Sequence, residues 1–435
     1  MTGHDPSRGS PDLLGRYLQV RAATEALAAP LSAEDQQLQS MPACSPTKWH
    51  RAHTTWFFEE FVLGPRGVAP CDPAFRYLFN SYYEAVGPRH PRPRRGLISR
   101  PSCDAIGAYR QDVDDRMCTL LGSLDPPSLD ALRPLLALGL AHEQQHQELL
   151  LTDILHALWQ NPLRPAYRGP DQRPPTSAPS SSSSAPETAF VEHLGGLLSM
   201  GRDPDPGGFA FDNEGPPHRV WLEPFALAVR PISNADLCAF LDADGYNTPS
   251  LWLSEGLDHV REHGITAPLY TEHTRGKLMT FTLDGMVEPD PAAPAAHLSY
   301  YEADALARFL GARLPTEAEV EAFAALADPT VGNFVDDRWL RPRRAHPDAT
   351  AAPAQLFGDV WEWTTSAYAP YPGYSPAPGA VGEYNGKFMV NQNVLRGGSC
   401  LTPRGHMRPT YRNFWHPDTR FQMTGARLAR SLVAR

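Results

Sequence analysis

Nowhere does the chain carry the run of about 18 apolar residues that a membrane-spanning helix needs. A membrane protein is therefore not expected. The opening residues MTGHDPSRGSPDLLGRYLQV also lack the basic-then-apolar pattern of a secretory signal. Cysteine is sparse: six in 435 residues (Cys44, Cys71, Cys103, Cys118, Cys238, Cys400), far apart and with no C-x-x-C pair. That spacing excludes a disulfide framework and fits reduced thiols, so a cytoplasmic protein is expected. Positive charge is in deficit as well. A net charge of −10 speaks against nucleic acid as the main partner, because phosphate binding wants a basic surface. No internal repeat is visible.

What remains is ordinary globular composition, 42% hydrophobic and 20% charged, in a chain long enough for two cores. The break between them falls at DQRPPTSAPSSSSSAPET. Five consecutive serines flanked by prolines cannot bury a face, which predicts a linker. The expected division is 10–168, a linker over 169–188, and 189–435.

Before the linker the grammar is helical. Apolar residues at helical spacing predict helices over 12–28, from Ser45-Pro46 to Gly64-Pro65, from Ser102 to Leu121, and over 128–159. Ser45 is the expected cap of the second, and Pro134 is expected to kink the fourth or mark its true start. With one long insertion, 64–101, these make a four-helix bundle of antiparallel helices. After the linker, short apolar stretches such as FALAVRPIS, FMVNQNVLRGGS and TGARLA alternate with Gly, Pro, Asn and Asp. Helical pattern is scarce there, clearest at LSYYEADALARFLG and again at TEAEVEAFAAL. The fold class is α+β multidomain.

HEQQHQE, 142–148, is the sharpest chemical signal. His142 and His146 are four apart, so both imidazoles project from one helical face and can share a metal. A third ligand has to come from a facing helix, and WHRAH offers His50 and His53. H-E-x-x-H is equally the zinc-hydrolase signature, with Glu143 as general base. No metal at all is the third reading. Three neutral imidazoles would leave open positions on an iron(II), and zinc stays chemically open.

Two further clusters stand out. NSYYEAVGPRHPRPRRGLISRP sets Tyr82 and Tyr83 beside Arg89, Arg92, Arg94, Arg95 and Arg100. Arginine forks suit a carboxylate and a phenol can deliver a proton; the plain alternative is a solvated basic loop. YRNFWHPDTRFQ sets Asn413, Phe414 and Trp415 together. Aromatic faces attract a trimethylammonium group by roughly 0.5 to 2 kcal/mol each, although a core aromatic cluster has the same composition. GDVWEWT, LRGGSC and GARLPTEAEVE read as fold-determining, with tight glycine turns and buried tryptophans.

Together these segments resemble the sulfoxide synthases of ergothioneine biosynthesis over nearly the whole chain. SPTKWHRAHTTWFFE and HEQQHQE are similar to a DinB-like four-helix bundle. FDNEGPPHRV, PISNADLCAFL, GARLPTEAEVE, GDVWEWT, VLRGGS and GARLA are similar to a C-type-lectin-like, formylglycine-generating-enzyme-like domain. The resemblance implies iron(II) held by His53, His142 and His146, with O₂ as co-substrate. It implies hercynine bound by Gln145, Asn413, Phe414 and Trp415. It further implies a thiol carboxylate met by Arg89 and Arg92, and a proton donor in Tyr82 or Tyr83. The insertion is similar to that of the cysteine-using bacterial branch. Trp415 stands where the branch using γ-glutamylcysteine has aspartate, which favours a small thiol such as L-cysteine. The implied activity joins the thiol sulfur to C2 of the imidazole as a sulfoxide. The cysteine pair of true formylglycine-generating enzymes is not matched. A structural calcium(II) near GDVWEWT is also raised, although Asp359 replaces the asparagine expected there. A selenium- or γ-glutamylcysteine-using relative, a zinc hydrolase and a non-catalytic lectin-like binder remain as alternatives.

Overall fold

The computed structural model describes residues 13–174, 188–202, 208–274, 277–345 and 353–432, which fall into two compact units, Met1–Ala157 and Leu158–Arg435. Most of the expected linker, 175–187, lies outside the described residues. Among the described residues no helix is long and apolar enough to cross a membrane, and no cysteine forms a disulfide.

The first unit is built on α1 (Leu13–Ala28), α2 (Thr47–Phe58), α3 (Phe75–Phe79), α4 (Cys103–Ser123) and α5 (Pro126–Gln160). Helix α2 is its axis, since every residue from Thr47 to Phe58 is buried. A helix polar by composition tolerates this only if each polar group finds a partner. Lys48 Nζ reaches the Ile98 carbonyl at 2.8 Å, and Arg51 pairs with Glu25 at 2.6 Å. The Thr54 and Thr55 hydroxyls bond carbonyls one turn back. A single wide π turn, Glu59–Leu63, continues α2.

Two helix starts differ from expectation. Ser45 does not cap α2; its N–H is given to Asp153 Oδ2 at 2.7 Å and its hydroxyl accepts from Arg95 at 2.9 Å. Helix α5 does not start at Pro134. It begins at Pro126, where Asp125 Oδ1 accepts the Ser128 N–H at 3.0 Å, and Pro134 lies within it. Ser102 does cap α4, accepting from the Ala105 N–H at 3.2 Å.

The second unit is an irregular α+β domain. Its strands are β1 (Phe190–His193), β2 (Gly196–Met200), β3 (His218–Leu222), β4 (Phe225–Pro231), β5 (Thr271–Thr274), β6 (Lys277–Thr282), β7 (Gly285–Val287), β8 (Trp361–Ala367), β9 (Asn393–Arg396), β10 (Asn413–Trp415), β11 (Thr424–Gly425) and β12 (Arg427–Ser431). They form sheets ordered β1-β4-β12 and β10-β9-β8-β11, a β2-β3 hairpin, and β5-β6-β7. Its helices are α6 (Asn234–Asp242), α7 (Ser254–Glu262), α8 (Tyr300–Phe309) and α9 (Glu317–Ala324). Helices α8 and α9 answer the two expected segments; α6 and α7 add two. Capping boxes start α6, α8 and α9, with Ser233/Asp236, Ser299/Glu302 and Thr316/Glu319.

Buried arginine–carboxylate pairs stitch these short elements together. Arg427 meets Glu362 at 2.7 Å, Arg412 meets Glu317 at 3.0 Å, and Arg396 pairs with Glu321. Arg408 holds Glu214 at 2.5 Å and Arg420 holds Glu302 at 3.0 Å. The LRGGSC turn needs its glycines, since Gly397 and Gly398 take φ of +99° and +80°. Trp361 and Trp363 are core residues, and Cys400 is buried.

Candidate metal centre

Helical spacing brings His142 and His146 to one face of α5, and α2 presents His53 to them. The three ring centroids stand 4.6 to 4.8 Å apart. One nitrogen from each lies within 4.8 Å of the others, and all three residues are buried. Spacing left His50 and His53 as equals; the structure separates them. His53 joins the cluster, whereas His50 stands behind it.

The hydrogen bonds fix which nitrogens face inward. His53 Nδ1 gives its proton to the Phe79 carbonyl at 2.6 Å, so Nε2 carries the lone pair, 3.1 Å from His142 Nε2. His50 Nε2 donates to Asp153 Oδ2 at 3.0 Å, leaving its Nδ1 to accept from His146 Nδ1 at 2.8 Å. His146 therefore also offers Nε2. This is the outer shell that orients metal-ligating imidazoles.

Burial drives all three rings toward the neutral form. His142 is lowered to about 3, by burial first and by His50 among its neighbours. His53 and His146 are held well below the usual imidazole range by burial and then by His142. Neutral rings with converging lone pairs fit a divalent cation and repel one another less once it is bound. The donor set is nitrogen only, which suits iron(II) and does not exclude zinc.

Glu143, the base of the zinc-hydrolase reading, points elsewhere. Its carboxylate accepts from Arg21 at 2.9 Å, Arg110 at 2.9 Å and Thr24 at 2.7 Å, and it is fully buried. Burial opposes its ionisation, but Arg21 and Arg110 prevail and hold it at about 2. A carboxylate so placed is a structural anion and a poor base.

Aromatic rings wall the cluster. Trp49 lies nearly parallel to His53 at 4.5 Å, Trp56 does so at 5.6 Å, and Phe57 stands 4.9 Å from His142. Tyr83 adjoins this wall, 5.9 Å from Trp56 and 5.1 Å from Phe61. It is fully buried, and Asn80 clamps its backbone through bonds of 3.0 and 3.1 Å. Tyr82 is half-buried, with its ring 4.6 Å from that of Tyr83.

The arginines divide. Arg89 pairs with Glu84, and Arg92 bonds the Ala43 carbonyl, both near the surface. Arg95 is the buried one. It donates to Ser45 and Ser81 and stacks 3.4 Å over Trp49. Nothing in the sequence distinguished it from its neighbours. Gln145 is half-buried on α5 beside His146.

In the second unit, β10 is an edge strand paired with β9, Phe414 opposite Val394. Strand alternation sets Asn413 and Trp415 on one face and Phe414 on the other. Phe414 stacks on Tyr368 at 4.0 Å, and Trp415 meets Phe421 edge-on at 5.5 Å. Near GDVWEWT, Asp359 accepts from Asn333, the Arg343 N–H and Gln355, each at 2.8 Å. A calcium ion would have to displace those donors, so Asp359 is no ready ligand for one.

Comparison with known proteins agrees with both halves. The DinB superfamily matches residues 16–150, and the sulfatase-modifying factor enzyme 1-like domain matches 175–352 and 339–432. A hercynine oxygenase of Mycobacterium tuberculosis is 32% identical over 97% of this chain and 99% of its own length. Another, from Mycolicibacterium thermoresistibile, is 31% identical over 89% of this chain and 88% of its own. Ergothioneine biosynthesis protein 1 of Schizosaccharomyces pombe is 27% identical over 51% of this chain and 28% of its own. A helical bundle with three inward imidazoles, joined to a sulfatase-modifying-factor-type domain, defines a class of two-domain oxygenases. The chain belongs to the hercynine oxygenase family.

Proposed function

We propose that the protein joins the sulfur of a small thiol, L-cysteine first, to C2 of the hercynine imidazole, using iron(II) and O₂. The balance is simple. The thiol loses its S–H and the ring its C2–H, one oxygen atom ends on sulfur as the sulfoxide, and the other leaves as water. The observation that carries this reading is the cluster of His53, His142 and His146, buried and neutral, in a chain of this family. Iron(II), held by those three nitrogens, would supply the one-electron chemistry that O₂ requires and the acidity that makes the thiol a thiolate.

The chain's own residues supply the rest. Trp49, Trp56 and Phe57 keep water from the cluster. The Tyr83 phenol, with Tyr82 as the second candidate, provides a proton to oxygen during the transfer. Its burial against Trp56 supports Tyr83 over its half-exposed neighbour. Arg89 and Arg92 are assigned to the thiol's carboxylate, and Gln145, Asn413, Phe414 and Trp415 to the betaine. For the last group the support is the Trp415 ring beside Asn413 on one face of β10, suited to a trimethylammonium ion; Phe414, on the other face, packs on Tyr368.

The test is turnover with hercynine and a panel of thiols, following O₂ uptake and product mass. A hercynylcysteine sulfoxide formed fastest from cysteine is expected. O₂ uptake without a C–S product from any thiol would refute the reading. Tyr83→Phe is expected to divert turnover toward simple thiol oxygenation while Tyr82→Phe keeps the wild-type product ratio. Unchanged ratios in both variants would remove the tyrosine role.

A further inference from the structure

A second group of metal-ligating side chains lies in the C-terminal unit, and nothing in the proposed reaction uses it. Helix α6 carries Cys238 and Asp242 four residues apart, so both project from one face. Strand β5, held by β6 with His273 opposite Leu278, brings a ring nitrogen to the same point. Cys238 Sγ lies 3.7 Å from Asp242 Oδ2 and 3.9 Å from His273 Nε2, while His273 Nε2 lies 3.3 Å from Asp242 Oδ1. One donor atom from each residue falls within 4.8 Å of the other two.

We propose that Cys238, Asp242 and His273 bind a zinc-class divalent cation, with the fourth position left to water. Tetrahedral zinc with sulfur at about 2.3 Å and nitrogen or oxygen at about 2.0 to 2.2 Å puts its ligands roughly 3.3 to 3.6 Å apart. The carboxylate meets the sulfur and the ring through different oxygens, and with one donor atom per residue all three lie within 4.8 Å, somewhat wider than that span. The sulfur is too far from either neighbour for a strong direct hydrogen bond, yet faces both. Thiolate, imidazole and carboxylate together select zinc over calcium or magnesium, which prefer all-oxygen cages.

The arrangement also has a built-in proton coupling. A cation-free cysteine thiol ordinarily carries its proton at neutral pH. Binding must release it, and affinity rises with pH. The bound ion clips α6 to the β5–β6 hairpin and stabilises this unit by mass action.

Cobalt(II) titrated into the full chain tests the site. A thiolate ligand gives cobalt a sulfur-to-metal charge-transfer band in the near ultraviolet, which an all-imidazole site cannot produce. The band is expected to saturate within two equivalents of cobalt per chain in the wild type, whose imidazole site competes for the ion, and at about one in His53→Ala, and to strengthen as pH rises. It is expected to vanish in Cys238→Ser, and in Asp242→Asn or His273→Ala to require more than about tenfold higher cobalt. No band in the wild type, a band that survives Cys238→Ser, or one lost in His53→Ala would overturn the proposal.

Discussion

His146 shows how a ligand is prepared before any metal arrives. Asp153 fixes the proton of His50, and His50 in turn fixes that of His146. His50→Ala should leave the bundle folded yet weaken iron(II) binding by about 10- to 100-fold, the usual effect of an outer-shell change. Calorimetric titration of wild type and variant checks this. Equal affinities would mean that His146 is oriented by packing alone. Asp359 makes a separate case. Burial raises its carboxyl to about 6, against 3.8 ordinarily, despite three donated hydrogen bonds. Its folded-state value lies above the unfolded one, so its contribution to stability is full below about pH 4 and is lost as pH rises through about 6. Asp359→Asn cannot titrate. The variant should gain on the wild type by on the order of 2 kcal/mol between about pH 4 and pH 7, read from denaturant unfolding. A pH-independent difference would contradict the assignment. Legibility at this scale was uneven. The spacing of His142 and His146 was readable because four residues make one helical turn. The choice of His53 over His50 was not readable from spacing and came only from the resemblance, since both lie on α2 and the Phe79 carbonyl and Asp153 tell them apart.

Among elements, α2 and α5 matter most, because the ligands ride on them. Glu143 of α5 draws in Arg21 of α1 and Arg110 of α4, and both guanidinium groups donate to Thr55 of α2. Replacing Glu143 leaves the buried Arg21 and Arg110 only their more exposed partners, Asp114 and Glu25. Glu143→Gln should cost about 3 to 5 kcal/mol of unfolding free energy. Turnover per bound iron should hold, since the carboxylate carries no proton in the reaction. Unaltered stability together with abolished turnover would instead revive the hydrolase-type base. The helices were legible from periodicity. Their ends were less so, because Ser45 was drawn off by Asp153 and Arg95, and Pro134 was absorbed inside α5. In the second unit, GARLPTEAEVE, GDVWEWT, VLRGGS and GARLA read as structural segments. Their pairing did not show, because Glu321 and Arg396, or Glu362 and Arg427, are joined only by folding. Helices α6 and α7 were not read from the sequence.

For the whole molecule, family and architecture were readable because two halves of different grammar occur in one order, and the matches to known proteins cover both. The chemistry rests on a narrower base, the redox-active ion that three neutral imidazoles are built to hold. The most direct measurement is the metal content of protein purified and reconstituted without oxygen, compared with the same preparation of His53→Ala. About one iron per chain, with O₂-dependent turnover, absent from the variant, is the predicted result. Iron retained in full by His53→Ala, or zinc bound with activity indifferent to O₂, would contradict it.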